Sequence, residues 1–317
     1  MSEPKAVYFF CRDLSKDPVA PRVFSAAVEL ASPREAGFSF DGEPVLVSRG
    51  PAGESFFYAR TEVVLSHDFA RYLPALREHF GDFDFAGLVN WHGGEKAPDK
   101  ILTVHTTGDV VTGNYGPAHP LYTRNLLLAL EANRRRVGLE DFRVTTEATH
   151  WSGIPYGGRP ELIPEYGVPL VDVEIGSAPG SWADAAAARA VALSLQEVFR
   201  GGGAPGRLRS LLCAGGVHLE AVFASAVLDS TDERPLAVSH ILPNHWVVDG
   251  GYEQESALDK VESCIRSVVG GVHAVVVHDD LKGRYKATFR AAAERLGVPL
   301  LKHRALRAPA ELPLWAD

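Results

Sequence analysis

The chain has 317 residues, 46% of them hydrophobic and 23% charged, the proportions of a globular protein large enough for one big α/β unit or two ordinary domains. Its 32 basic and 40 acidic side chains give a formal charge of -8, which argues against a protein that coats nucleic acid but leaves room for a local basic patch at one RNA end. No apolar run reaches the roughly 18 residues of a membrane span, and three cysteines (Cys11, Cys213, Cys264) with no CxxC pair form no disulfide framework and suit a reducing cytoplasm.

In chain order, the start MSEPKAVYFFCRDLSKDP lacks a basic, apolar leader and reads as mature protein. AVYFFC (6–11) reads as a strand, followed by an amphipathic helix near 21–31. PVLVS (44–48) and TEVVL (61–65) read as strands, the second leading into a helix over 68–80. FAGLVN (85–90) and ILTVHT (101–106) are strands; a helix over 119–137 carries Leu126, Leu127, Leu130 and Val137 at helical spacing. FRVTTEA (142–148) and LVDVEIG (170–176) are strands, and 183–199 is an Ala-rich helix. RSLLCAGG (209–216), LAVSHIL (236–242), VHAVVVH (272–278) and VPLLK supply further strands, with helices near 253–268 and 283–296. The alternation predicts a three-layer α/β/α protein with a mostly parallel or mixed sheet, 1–317 as a single unit with room for two subdomains. GGGAPG (201–206) is the expected seam, and the Gly/Pro-rich stretch 151–169 is expected to loop over the active face.

Histidine placement carries the chemistry. His92, His105, His150, His240 and His278 fall at or just past the ends of predicted strands, and His218 follows another across a Gly-Gly turn. In open α/β sheets ligands bind outside the carboxyl ends of strands, so a shared edge lined with imidazoles reads as a site. His92 and Glu95 have an H-x-x-E spacing that suits one zinc ion. His105 precedes a Thr106-Thr107-Gly108 turn whose hydroxyls and amides suit an oxygen-rich ligand. Glu147, before His150, and Asp172 and Glu174 are acids in apolar strands, costly there unless paired. Gly215-Gly216 precedes a helix, so amides over 215–217 are candidates for cradling an oxyanion, with His218 in the first helical turn. Cys213 reads as a small core residue. No G-x-S-x-G elbow, Walker loop or early dinucleotide fingerprint occurs.

Taken in order, the segments resemble the archaeal and plant type of D-aminoacyl-tRNA deacylase. LTVHTTGD (102–109), EATH (147–150), VEIGS with Trp182, AGGVH (214–218) and LKG (281–283) follow that family's motifs along nearly the whole chain, and CRDLSKDPVA is similar to its opening. The chain departs where the family continues His-Gly-Pro after His150 (here Trp151-Ser152-Gly153) and Tyr-Ala-Pro after His218 (here Leu219-Glu220-Ala221). It also has Asn90-Trp91 before His92 where the family has Ser-Arg.

The resemblance implies hydrolysis of the ester between a D-amino acid and the terminal ribose of tRNA, with zinc as cofactor. Its partner would be the aminoacyl-tRNA acceptor end or a small aminoacyl substrate, with neither DNA nor membrane, and a monomer is favoured. Two mechanisms stay open on the residues. In one, His105, His150 and His218 surround a metal that activates water; in the other, one of them is a general base oriented by Glu147 or Glu174. His92, Thr106, Thr107, Gly215, Gly216 and His240 are expected to bind substrate. Arg134, Arg135, Arg136, Arg207 and Arg209 are available to phosphates. Competing readings are a zinc amidohydrolase or carboxypeptidase-like enzyme using His92, Glu95 and His218, and a non-catalytic module that binds an aminoacyl or nucleoside ligand. Nucleoside phosphorylase-like chemistry rests on fold analogy alone.

Overall fold

The computed structural model describes residues 3–94, 96–200 and 206–315. Glu95 and most of the expected seam, 201–205, lie outside them. The first strand, β1 (Lys5–Cys11), is followed by α1 (Ala20–Ala31), at whose start Asp17 Oδ1 accepts the amides of Val19 and Ala20 at 2.8 Å each. Next come β2 (Arg34–Phe40), β3 (Glu43–Arg49), β4 (Ser55–Thr61), α2 (Phe69–Phe80), β5 (Phe85–Trp91), β6 (Ile101–Thr106), β7 (Gly108–Asp109) and β8 (Asn114–Tyr115). Then follow α3 (Pro120–Arg136), β9 (Arg143–Thr146), β10 (Leu170–Ile175), α4 (Pro179–Trp182) and α5 (Ala185–Leu195). The last third adds β11 (Arg209–Ala214), α6 (Ala221–Leu228), β12 (Leu236–Leu242), α7 (Asn244–Asp249), α8 (Ala257–Arg266), β13 (Ala274–Val277), α9 (Gly283–Leu296) and β14 (Leu300–Lys302).

The strands form a mixed eight-stranded sheet, ordered β2-β3-β4-β1-β5-β10-β6-β9, and a parallel four-stranded sheet, β12-β11-β13-β14. Helices flank the large sheet on both sides, the α/β/α arrangement expected from the alternation. On one face Tyr8, Phe10, Phe85, Val171 and Val173 pack with the small residues of α1 and α5 and with Leu126 and Leu130 of α3. On the other, Val7, Phe9, Ala86, Leu88 and Leu170 pack beneath Phe69, Leu73, Leu76 and Phe80 of α2. β5 and β10 run parallel, whereas β6 runs antiparallel to β10 and carries β9 with it.

Besides the short elements β7, β8, α4 and α7, which were not expected, four differences from the sequence expectation have a plain physical cause. The expected strand 61–65 is instead β4 over Ser55–Thr61; Val64 and Leu65 are buried in the turn into α2, so their apolar character reflects burial rather than pairing. β2 was not expected: it is an edge strand whose inward face is only Ala36, Phe38 and Phe40, alternating with exposed Glu35, Gly37 and Ser39. β9 stops at Thr146, four residues long, because the chain beyond it leaves the ladder to enter the site described below. The helix expected over 183–199 is α5, shorter at both ends and started by Asp184, whose carboxylate accepts the amides of Ala186 and Ala187.

Candidate active site

Four histidines and three carboxylates meet where the α2 face of the large sheet turns polar. Along β10 that face reads Leu170, Asp172, Glu174, and along β5 it reads Ala86, Leu88, Asn90. The apolar half lies under α2, and the polar half faces an open cleft. Strand register places Asp172 opposite His105 and Glu174 opposite Thr103 of β6, and Asn90 Nδ2 donates to Asp172 Oδ1 at 2.6 Å. Glu147 follows directly on β9; its amide donates to Val104 O at 3.3 Å and its Oε1 accepts the Thr103 hydroxyl.

The outer group is built on one carboxylate oxygen. Glu147 Oε2 lies 2.9 Å from His218 Nε2 and 3.3 Å from His92 Nε2. His92, just past β5, meets Ser177 Oγ through Nδ1 at 2.7 Å. His218 comes from the loop between β11 and α6 of the second sheet, and its backbone carbonyl accepts the amide of Ala148 at 2.8 Å, tying the two sheets together at the site.

The inner group is more deeply enclosed. The rings of His105 and His150 stack with centroids 3.8 Å apart. His105 Nδ1 faces Thr106 O at 3.1 Å and His150 Nδ1 faces Ala148 O at 2.9 Å. A carbonyl only accepts, so each Nδ1 carries hydrogen and the tautomer is fixed by the backbone, as for a histidine that presents Nε2 to a ligand. His105 Nε2 lies 3.5 Å from Glu174 Oε1 and 3.8 Å from Asp172 Oδ2. Both His105 Nε2 and Asp172 Oδ2 are buried with no hydrogen-bond partner among the described residues. Donor atoms of His105, His150 and Glu174 lie within 4.8 Å of one another, as do those of His92, Glu147 and His218; each set suits a metal ion.

Burial and mutual charge set the protonation pattern. Burial alone would raise Glu147, yet its bonds to His218 and His92 and the charge of His105 hold it well below the usual carboxylate range. Burial pushes Glu174 up to about 8, helped by the negative charge of Glu147, and pushes Asp172 up to about 6. Burial opposes charging His105, but Asp172, Glu174 and Glu147 together outweigh it and raise this imidazole to about 10. His92 is likewise raised: burial works against its charge, and Glu147 overcomes it. His150 goes the other way, kept neutral by burial and by the neighbouring charge of His105. Positive charge on His105 and negative charge on Glu147 therefore compensate inside a space that neither would enter alone.

The convergence of histidines is real, but not along one carboxyl edge. Because β6 is antiparallel to β10, its carboxyl end points away from that of β5, and His105 joins the group through its side-chain face rather than its strand end, buried beside Glu174 and His150. His150 meets both His105 and His218 (ring centroids 5.1 Å). The three histidines expected around one metal are thus neighbours, with His218 in the outer set and the other two in the inner set. His240 and His278 stand apart from the cleft. His240 is buried in β12, and His278 lies beside His303 at a centroid distance of 3.8 Å.

The expected substrate-binding turns are otherwise engaged. Thr106 Oγ1 bonds Thr149 Oγ1 and His240 Nδ1 at 2.9 Å each, on the opposite side of β6 from His105, and Thr107 Oγ1 donates to Leu170 O at 3.3 Å. The amide of Gly215 donates to Leu242 O at 2.7 Å and that of Val217 faces Glu220 Oε2 at 3.5 Å, so these two are not free to cradle an oxyanion. Gly215 and Gly216 instead serve the turn, with φ of 94° and 79°, where a Cβ on Gly215 would meet that of His278 at 2.7 Å. The helix begins only at Ala221, so His218 sits in the loop before it. Arg134 and Arg135 close on Glu131 at 2.8 and 2.7 Å, and Arg209 donates to Leu314 O at 3.0 Å.

Sequence reasoning left several cleft residues without a role. Asn90 and Asp172 stood inside the quoted segments, and strand parity with His105 and Glu174 was the signal that could have paired them. The aromatic walls were not foreseen: Trp91, Trp246 and a stacked His67–Tyr156 pair with ring centroids 3.5 Å apart. The only signal for Tyr156 was its place in the Gly/Pro-rich loop expected over the site. Nothing in the sequence marked Trp246.

The D-aminoacyl-tRNA deacylase family matches residues 79–301, which contain every residue of both groups. The D-aminoacyl-tRNA deacylase of Halobacterium salinarum is 28% identical over 203 residues, covering 62% of this chain and 40% of that protein. The one from Natronomonas pharaonis is 26% identical over 269 residues, covering 84% and 55%. The chain therefore spans about half the length of the curated relatives it matches. A solved structure described as a conserved protein of unknown function superposes with a TM-score of 0.75 at 19% identity, covering 98% of both chains, and shares the fold. With the match running through strands, cleft and both groups of histidine and carboxylate side chains, the chain belongs to the D-aminoacyl-tRNA deacylase family.

Proposed function

We propose that the cleft hydrolyses the ester linking an amino acid, of D configuration as in the family's name, to the terminal ribose of tRNA. The observation that carries this reading is Glu147: a fully desolvated carboxylate gripping two imidazoles, one of which, His218, has a side chain 32% exposed and reaches the open cleft. Ester hydrolysis needs a base for water, then an acid for the departing ribose oxygen. His218 serves both steps: it takes a proton from water as the water oxygen bonds the acyl carbon. It then returns that proton to the ribose oxygen as the acyl–oxygen bond breaks. Glu147 orients the ring through its bond to Nε2, and His92 fixes the carboxylate from the other side. The aromatic walls exclude bulk water from the acyl group and offer faces for the terminal base.

Zinc fits the inner set on two grounds, the backbone-fixed tautomers of His105 and His150 and the unpartnered His105 Nε2 and Asp172 Oδ2. Held by His105, His150 and Glu174, with the protons of His105 and Glu174 released on binding, it would supply Lewis acidity towards the ester carbonyl. Asp172, fixed by Asn90, would then balance charge behind the ligands.

The test is direct. Purified protein is incubated with matched D- and L-aminoacyl-tRNA, with and without chelator, and release of free amino acid is followed. Faster release from the D-ester, lost with chelator and regained with zinc, is the expected result. Equal, spontaneous rates in every arm would refute the reading. Bound zinc with cleavage of small amides and no action on aminoacyl-tRNA would favour an amidohydrolase.

A further inference from the structure

A second pocket adjoins the cleft. It is lined chiefly by apolar groups (Val110, Val111, Trp151, Ile154, Pro155 and Trp246), and it shares His150, Ser152 and Trp246 with the cleft. Trp246 stands between the two spaces, its ring centroid 5.8 Å from that of His150 and 5.5 Å from that of His218. Any acyl carbon within reach of His218 therefore has an apolar chamber immediately beyond the indole. The chamber has little polar lining; Asp109 is its one carboxylate among the described residues. Ile154, on the loop over the site, is 39% exposed and forms part of the chamber's lining. Such surface gains most by covering another apolar group.

Resting on the proposed ester hydrolysis, we infer that this chamber is the acyl side-chain subsite and selects substrates with aromatic or branched aliphatic side chains. Small side chains leave it unfilled, and acidic ones meet Asp109. The occupant is the substrate's own side chain rather than the terminal base, because the chamber meets the cleft at His150 and Trp246, whose rings lie 5.1 and 5.5 Å from that of His218, the group that acts on the ester.

The test uses two non-hydrolysable 3′-amide analogues, D-phenylalanyl- and D-alanyl-3′-amino-3′-deoxyadenosine, titrated calorimetrically into the full chain. The wild type should bind the phenylalanyl analogue at least about 10-fold more tightly, the discrimination an apolar pocket gives a buried ring. Val111→Trp, which fills the chamber, should bring the two analogues to within about 3-fold of each other by weakening only the phenylalanyl one. Ile154→Asp, at the exposed lip, should do the same and carries the test should the first variant fail to fold. Equal affinities in the wild type, or a variant that weakens both analogues alike, would overturn the subsite; the second result would assign the chamber to the base. Hydrolysis of D-phenylalanyl-tRNA by the same preparation separates the two claims. An affinity gap without turnover would sink ester hydrolysis and keep the subsite, and turnover without a gap would do the reverse.

Discussion

His105 and Thr106 are neighbours on β6, yet they open onto two opposite kinds of buried polar chemistry. On the Thr106 side, His240 closes a knot of hydroxyls: its Nδ1 meets Thr106 and Thr149 at 2.9 and 3.1 Å, and its Nε2 meets Ser267 Oγ at 2.9 Å. Ser267 donates its own hydrogen to Cys264 O at 2.7 Å, so it accepts from Nε2–H, and the Nδ1 lone pair is left for the threonines. Every ring position is satisfied without a charge. On the His105 side three carboxylates crowd the imidazoles, and a nitrogen and an oxygen are left unpaired. A satisfied polar knot rigidifies a fold; an incomplete, charged one is where a ligand completes the coordination. The same residue type at the end of a strand thus serves structure on one face and chemistry on the other.

Breaking the charged side should cost activity while leaving the fold. Glu147→Gln keeps the shape of the side chain but removes the charge that grips His218, and kcat/KM on aminoacyl-tRNA should fall by at least about 100-fold, the usual contribution of a positioned acid–base pair. His218→Ala should match it, and the double variant should be little worse than either single one, since both remove the same unit. The cooperative melting curve should survive in all three. Rates within a few-fold of wild type would remove His218 from the chemistry.

His105→Ala sharpens the division between the inner and outer sets. If the inner set holds zinc, this variant should lose bound metal as measured by atomic absorption on the dialysed protein. His92→Ala should retain the metal, because His92 belongs to the outer set on Glu147. Metal kept by the first variant and lost by the second would reverse the assignment of the two sets. Loss of even one of three protein ligands weakens a zinc site severely, so the expected contrast is near-complete.

How far the site was legible follows from the same strand. The acids and imidazoles stood out because charge inside an apolar strand is costly and demands a partner. Parity alone places His105 and Thr103 on one face and Thr106 on the other. The direction of β6 relative to β10 is a property of pairing, and residues 101–106 would look the same run either way; this is why six histidines appeared to share one carboxyl edge. The Gly-Gly turn at 215–216 misled for a related reason. Glycine reports a left-handed backbone, as both φ values confirm, but not whether the amides it exposes are already taken. The strand expected over 61–65 failed because β-branched residues bury equally well in a turn, whereas Phe56 and Tyr58 of β4 mark the true pairing. Trp246 and the chamber behind it depend on α7 meeting the distant loop that carries Ile154, which no local pattern encodes.

Breaking the neutral knot should do the opposite of breaking the charged one. His240→Ala leaves the hydroxyls of Thr106, Thr149 and Ser267 to find new partners in a buried space, at a cost of about 1–3 kcal/mol in unfolding free energy. Turnover of the folded fraction should stay within about 2-fold of wild type, since general acid–base groups act only within reach of the proton they move. A loss as large as that of Glu147→Gln would show that the two faces of β6 work as one unit.

The smallest effect is a slope, and its sign separates the two faces without any assay of activity. Burial holds His240 down at about 3 in the folded protein, against 6.5 for the exposed side chain. As pH falls below 6.5, the unfolded chain takes up a proton that the folded chain refuses until near 3, so stability is lost across that window and is fully present above it. Within it this one group contributes about 1.4 kcal/mol per pH unit. His240→Gln removes that contribution and no other, so the difference in urea unfolding free energy between variant and wild type should move in favour of the variant by this amount per unit from pH 6 to 5. A difference that stays flat would mean that His240 is protonated inside the fold. The knot would then carry charge like its neighbour across the strand.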